Sequence, residues 1–173
     1  MSAAGEAERT FRVRRVHGVV STDDILPARY KHSSVDPADF APHVFENVQP
    51  GFAATIRPGD ALVGDDTFGI GSSREQAVSA LLAAGVGAVL APAFGRIFFR
   101  NAWNLGLLAL ELDTSDLAEG SELRVDLEAG RAVAGGREHA FVPVPEDLVE
   151  MVRAGGLLAR LRTQLARVGH ESV

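Results

Sequence analysis

Cysteine is absent from the 173-residue chain. That absence excludes a disulfide framework, a thiol nucleophile and any zinc or iron–sulfur centre held by the chain's own thiolates. An excess of basic residues is lacking too: 17 Lys and Arg stand against 23 Asp and Glu, a formal charge of −6, which argues against nucleic acid as the main partner. No apolar run is long enough to span a bilayer, since Pro92 and Arg96 break the longest, and residues 1–15 carry Glu6, Glu8 and several arginines instead of an apolar signal core. The expected address is the cytoplasm, with no membrane partner. Repeats, low-complexity runs and an internal linker are also missing, so the expected organisation is a flexible N-terminus over 1–9 and a single domain over 10–173.

What is present fits a folded α/β domain: 46% of residues are hydrophobic and 23% charged. Phe11 to Val20 has strand character and runs into the turn-forming cluster Ser21-Thr22-Asp23-Asp24. Asp36 and Pro37 predict a short helix over 37–46, and Asp60 to Gly64 a brief buried strand. Phe68-Gly69-Ile70-Gly71-Ser72-Ser73 leads from a strand into a helix whose apolar face is Ala77, Val78, Leu81 and Leu82. Strands over 86–91 and 107–112 flank a second helix, 94–105, which places Trp103, Phe94, Phe98 and Phe99 in the core. A β-meander over 123–144 and helices over 146–154 and 157–168 complete the pattern, with Arg153, Arg160, Arg162 and Arg167 on a solvated helix face.

The chemistry concentrates at Gly69–Glu75. Two glycines before a helix start expose unpaired backbone N–H groups, and the helix dipole adds attraction for an anion. Ser72 and Glu75 also have capping-box spacing, so the hydroxyl could serve only the helix end. Against that, Arg74 lies in the expected first turn, where a cation is disfavoured unless an anion compensates it. Adjacent hydroxyls, loop amides and a guanidinium within four residues suit bidentate capture of a carboxylate. Phosphate-loop, dinucleotide, nucleophile-elbow and zinc-hydrolase readings lack their residues: there is no Gly-Lys-Ser/Thr, no third glycine, no Gly-x-Ser-x-Gly, and no His-x-x-x-His among His17, His32, His43, His139 and His170. His17, His139 and His170 have no motif neighbours and receive no function.

Taken in order, Gly18 to Tyr30, Phe68 to Glu75, Ala91-Pro92-Ala93-Phe94, Ile97-Phe98, Asn101, Gly106-Leu107-Leu108 and Ala154-Gly155-Gly156-Leu157 resemble the small subunit of the aconitase-like hydro-lyases, which include isopropylmalate dehydratase and homoaconitase. The resemblance spans about residues 10–165. It implies a swivelling β/β/α domain with a mixed or parallel sheet core flanked by helices. It also implies a cysteine-bearing aconitase-like large subunit that carries a four-iron four-sulfur cluster, consistent with the lack of cysteine here. The implied reaction moves water between neighbouring carbons of a 2-hydroxy acid, a substituted malate, through an unsaturated acid.

Carried over residue by residue, the resemblance makes Ser72 the base that removes the proton next to a carboxylate. Ser73, Arg74 and the Gly71 loop bind substrate carboxylate, and Asp23 orients active-site groups; the alternative for Asp23 is an Asx-turn. The loop after Tyr30 influences which side group is accepted, which brings in Lys31, His32 and Ser33. Lys31 departs from both the isopropylmalate and the homoaconitase patterns, and a cation there favours a polar terminus over an isopropyl group unless it points to solvent. Isopropylmalate is the commonest kind of substrate in the family that the sequence resembles, so the leading expectation is a 3-isopropylmalate dehydratase-like subunit of leucine biosynthesis. The alternatives are a homocitrate-type or methyl-substituted malate, or a carboxylate-binding module without activity.

Overall fold

A computed structural model of the chain describes residues 8–30, 32–72 and 74–170, with the side chains of 167–170 outside that set. Lys31 and Ser73, both expected at the substrate from the sequence, lie outside the described residues, as do the side chains of Arg167 and His170. Strand β1 (Glu8–Val16) takes in the last two residues of the expected N-terminal arm, and residues 1–7 lie outside the described set.

The chain continues through β2 (Val20–Ser21), α1 (Thr22–Ile25), β3 (Asp60–Gly64), β4 (Thr67–Ile70), α2 (Glu75–Ala83), β5 (Val86–Ala91), β6 (Ala93–Phe94) and α3 (Arg96–Leu105). After β7 (Leu108–Glu111) comes the expected meander, β8 (Glu122–Asp126), β9 (Arg131–Ala134) and β10 (Arg137–Ala140), and then α4 (Glu146–Arg153) and α5 (Leu157–His170). The segment 37–46 is not a helix. It forms two 3-10 turns, Pro37–Asp39 and Ala41–His43, because Pro42 removes an amide donor five residues after Pro37 has removed another.

The strands make two sheets. The larger runs β10-β9-β8-β1-β3-β5-β7, with β1, β3, β5 and β7 parallel and the meander antiparallel on β1. The smaller, β2-β4-β6, is parallel throughout, and its strands continue β1, β3 and β5 after breaks of one to three residues. Alternate residues of the central strands enter two cores. Leu62 and Val89 pack with Val78, Leu81, Phe45 and Phe68 on one face, while Val63, Ala88 and Leu90 pack with Trp103, Leu123, Val125 and Val149 on the other. Burial on both faces explains the unbroken apolar runs of β3 and β5. Phe94, Phe98 and Trp103 are core residues as expected, with Phe99 packed partly buried beside them. Arg160 pairs with Glu150 across α4 and α5, and Arg162 is exposed.

A charge cluster fastens the start of β3. Asp60 accepts from Arg12 Nε at 2.8 Å, Arg12 Nη2 at 2.5 Å and the Arg57 amide at 2.8 Å, and Arg14 Nη1 lies 3.6 Å away. Burial alone would raise the Asp60 carboxyl, but the hydrogen bonds from Arg12 and Arg57 and the guanidinium charges outweigh it and hold the group below the usual carboxylate range. A lowered folded-state pKa contributes stability above the unfolded value, about 3.9, and loses it as pH falls through the folded value. The melting temperature is therefore expected to drop on acidification below about pH 4 more steeply in the wild type than in Asp60→Asn. Parallel acid limbs in a thermal-melt series from pH 6 to pH 3 would refute this role.

Candidate functional site

In open parallel sheets ligands bind beyond the carboxyl ends of the strands. At that edge of the small sheet, β2 delivers Ser21, Thr22 and Asp23, β4 delivers Ile70, Gly71 and Ser72, and β6 delivers Gly95. Glycine is required twice at the crossing of β4 with α3. A Cβ on Gly69, at φ +78°, would lie 2.2 Å from Phe98 Cγ, and one on Gly95 would lie 2.3 Å from the Gly69 carbonyl oxygen. The Gly95 amide donates to the Phe68 carbonyl at 2.9 Å, closing the gap between the two elements.

Ser72 does not cap α2. The N-cap is Arg74, with extended backbone and no side-chain capping bond, and Glu75 is the first helical residue, so Ser72 and Glu75 are out of register for a capping box. Arg74 thus lies one position before the first turn in which the sequence placed it. The capping box belongs instead to α1: the Asp24 amide donates to Ser21 Oγ at 3.1 Å, and the Ser21 amide donates to Asp24 Oδ2 at 2.7 Å. Among the described residues no side chain caps the Glu75 and Gln76 amides, which are therefore available as donors, while the Ala77 amide donates to the Arg74 carbonyl at 3.3 Å.

The short helix α1 holds both ends of the loop. Thr22, 2% exposed, donates from Oγ1 to the Ser72 carbonyl at 3.2 Å and sits 3.5 Å from Ser72 Oγ. Asp23 Oδ1 pairs with Arg74 Nη1 at 2.5 Å, and that same nitrogen lies 3.5 Å from the Leu26 carbonyl oxygen. Asp23 is therefore a helical residue bound to Arg74, not the centre of an Asx-turn. The Arg74 amide closes the loop on the Ser72 carbonyl at 2.8 Å, and Gly71 takes φ +99° to permit it. Ser72 itself is exposed, and Thr22 is the one hydroxyl near its Oγ among the described residues.

His32 and Ser33 form part of a separate wall. Both are exposed, and Ser33 Oγ donates back to the Tyr30 carbonyl at 2.9 Å, so that hydroxyl serves its own turn. Among the described residues no hydrogen bond or ion pair joins either to Ser72, Asp23 or Arg74. His17 pairs with Asp65, whose carboxyl it holds below the ordinary range against the opposing effect of burial, and His139 is buried. Thr22 is the residue that sequence reasoning missed: its neighbours read as turn formers, and the one available signal was its place beside Asp23.

Nothing among the described residues fits an iron–sulfur cluster. The chain has no cysteine, and among the described residues no three His, Asp or Glu side chains converge as a metal site. What the loop presents is a hydroxyl, a guanidinium and free helix amides, a set suited to a carboxylate and to proton transfer beside it.

The aconitase C-terminal domain family matches residues 55–115, the stretch that contains β3, β4, the Ser72 loop and α3. The chain is 46% identical over 152 residues to the 3-isopropylmalate dehydratase small subunit of Nautilia profundicola, covering 86% of this chain and 91% of that one. It is 44% identical over 145 residues to small subunit 2 of the same enzyme from Archaeoglobus fulgidus, covering 83% and 88%. Its fold matches the crystal structure of 3-isopropylmalate dehydratase from Methanocaldococcus jannaschii with a TM-score of 0.86 and 30% identity, over 95% of this chain and 99% of that one. Identity at this level over most of both lengths, on one shared fold, makes this chain a member of the 3-isopropylmalate dehydratase small-subunit family.

Proposed function

We propose that this chain is the small subunit of a heteromeric hydro-lyase of leucine biosynthesis, acting in the cytoplasm on 3-isopropylmalate once docked on its large subunit. The observation that carries the reading is the Ser72 loop itself. Its hydroxyl is free of any capping duty and sits two residues from a guanidinium that α1 holds in place, in a chain of this family.

In the proposed chemistry a substrate carboxylate lies against Arg74 and the first α2 amides, with Ser73 and the Gly71 loop completing the cradle. Ser72, as its alkoxide, takes the proton from the carbon next to that carboxylate. The C–H electron pair becomes the new C=C bond and hydroxide leaves the neighbouring carbon; hydration reverses these steps with the positions exchanged. A serine hydroxyl ionises only where donors stabilise the oxyanion, and Arg74 and the α2 amides are those donors. Asp23 keeps Arg74 aimed, and Thr22 holds the Ser72 backbone. Activation of the departing hydroxyl is assigned to the large subunit, as is the four-iron four-sulfur cluster; the lack of cysteine in this chain, and of a ligand set among its described residues, supports that division.

Lys31, His32 and Ser33 remain the proposed side-group loop. The test is an anaerobic dehydration and hydration assay of the two subunits co-expressed, with isopropylmalate, homocitrate-type and methyl-substituted malates. Turnover of isopropylmalate above the others is expected. Preference for another malate would move the substrate assignment, a cluster-loaded complex that turns over none would mean a different substrate class, and failure of any complex to form would favour a carboxylate-binding module.

A further inference from the structure

Beside the Ser72 loop lies an open depression of about 680 Å³, lined by Gln76 of α2 and by His32, Ser34, Val35 and Phe40. Gln76 lies in the first turn of α2, the helix whose N-cap is Arg74, so the depression borders the end of the helix that carries the guanidinium, and Val35 is 99% exposed at its side. Residues 32–35 have no helix or strand to fix them. Their near end is a turn closed on Tyr30, whose carbonyl accepts from the Ser33 amide at 3.1 Å and from Ser33 Oγ at 2.9 Å. The far end is tied separately, with Ser34 Oγ donating to Asp39 Oδ2 at 2.5 Å, so Tyr30 governs the near end of the wall, at His32 and Ser33.

Tyr30 is tied to Glu46. Its hydroxyl donates to Glu46 Oε1 at 2.8 Å, and its ring stacks on His43 with centroids 4.0 Å apart and planes 18° apart. His43 Nδ1 lies 2.6 Å from Glu46 Oε2, and the Arg29 guanidinium pairs with the same carboxylate. One partly buried carboxylate thus gathers a phenol, an imidazole and a guanidinium from both sides of the connection. Three donors on one acceptor group make a junction whose parts cannot shift independently.

The residue before this junction is the one non-glycine residue with positive φ among the described residues. Phe45 has φ +59° and is fully buried, a conformation that a bulky side chain adopts only where its surroundings impose it. Its amide donates to the Ile25 carbonyl, the last residue of α1, at 2.9 Å, and its ring meets that of Phe68 on β4 at 6.4 Å. Glu46 therefore projects from a point locked to the helix that carries Thr22 and Asp23 and to the strand that leads into Ser72.

We propose that Glu46 is a positioning residue for side-group selection: through Tyr30 and His43 it fixes the near end of the 32–35 wall relative to Arg74, and so sets the width of the depression that takes the substrate's side group. This rests on the reading that Ser72 and Arg74 hold the reacting malate. In the assembled enzyme, Glu46→Gln is expected to raise KM for isopropylmalate about tenfold with kcat little changed, and to reduce discrimination against unsubstituted malate by a similar factor, the scale of a side-group contact. Tyr30→Phe, which removes a single donor, is expected to act in the same direction by a smaller factor, and Glu46→Asp to restore part of the loss. Hydrogen exchange of the 32–36 amides in the same complexes reads the anchor without turnover, and faster exchange is expected in Glu46→Gln. Discrimination unchanged in both Glu46→Gln and Tyr30→Phe, or 32–36 exchange at the wild-type rate, overturns the proposal. A wild-type complex that turns over no malate overturns the parent reading instead, while the exchange rates still judge the anchor.

Discussion

Ser72→Ala in the assembled complex is expected to lower kcat by about three orders of magnitude while KM moves little, the middle of the range for loss of a positioned base. The size follows from what no neighbour can replace. Among the described residues the nearest hydroxyl is that of Thr22, which is buried and already donates to the Ser72 carbonyl, so it cannot take over the proton. Asp23 is within reach of the loop, but its Oδ1 is already engaged by the Arg74 guanidinium at 2.5 Å, which turns the carboxylate to Arg74 and not to the substrate carbon. The cradle itself survives the substitution, because the Arg74 guanidinium and the α2 amides do not depend on the Ser72 side chain, and that is why binding should persist. Thr22→Val is the graded companion: it keeps the packing, removes the 3.2 Å hydrogen bond, and should cost about tenfold in kcat by loosening the base. Steady-state kinetics of the two variants decide the matter. A Ser72→Ala enzyme retaining more than a tenth of wild-type kcat would remove Ser72 from the proton transfer.

Much of this arrangement was readable from local pattern. The alternation of strand and helix from Asp60 to Leu112 showed because parallel strands buried on both faces are continuous apolar runs, and because Gly85 and Gly106 mark helix ends with φ +96° and +86°. Ser72 and Arg74 stood out by composition alone. The helix boundary between them did not, since Ser-x-x-Glu occurs in or out of capping register with the same spelling, and only the extended Arg74 backbone tells which. The Ser21–Asp24 box was hidden for the opposite reason: Asp replaces Glu at its third position, so a helix start looked like a turn. The split of one set of strands into two sheets at 17–19 and 65–66 is set by tertiary pairing and has no local signature. The same holds for Glu46, whose three partners include residues 16 and 17 positions away, and for the φ of Phe45, which no propensity favours.

The other large effect concerns stability, and it falls at Gly69. A methyl group there meets two separate obstacles: a left-handed backbone that costs an L-residue about 1–2 kcal/mol, and Phe98 carbons at 2.2–2.6 Å, an overlap whose relief costs about 1–3 kcal/mol. Together Gly69→Ala should destabilise by about 2–5 kcal/mol, or about 5–15 °C for a chain of this length. Phe98 has little room to retreat, being 2% exposed and packed against Phe68 and Phe94. The displacement must then pass along β4 toward Gly71 and Ser72, so activity at a permissive temperature should fall as well. A double-mutant cycle separates the two obstacles. Phe98→Ala alone leaves a cavity costing about 3–5 kcal/mol, but in its presence the Gly69 methyl has space and retains the backbone cost alone. The pair should therefore be more stable than the sum of the single losses predicts, by about the 1–3 kcal/mol of the overlap. Strict additivity in thermal or urea unfolding would mean that Gly69 is needed for its φ alone, and that the close approach of α3 to β4 does not itself hold the Ser72 loop in place.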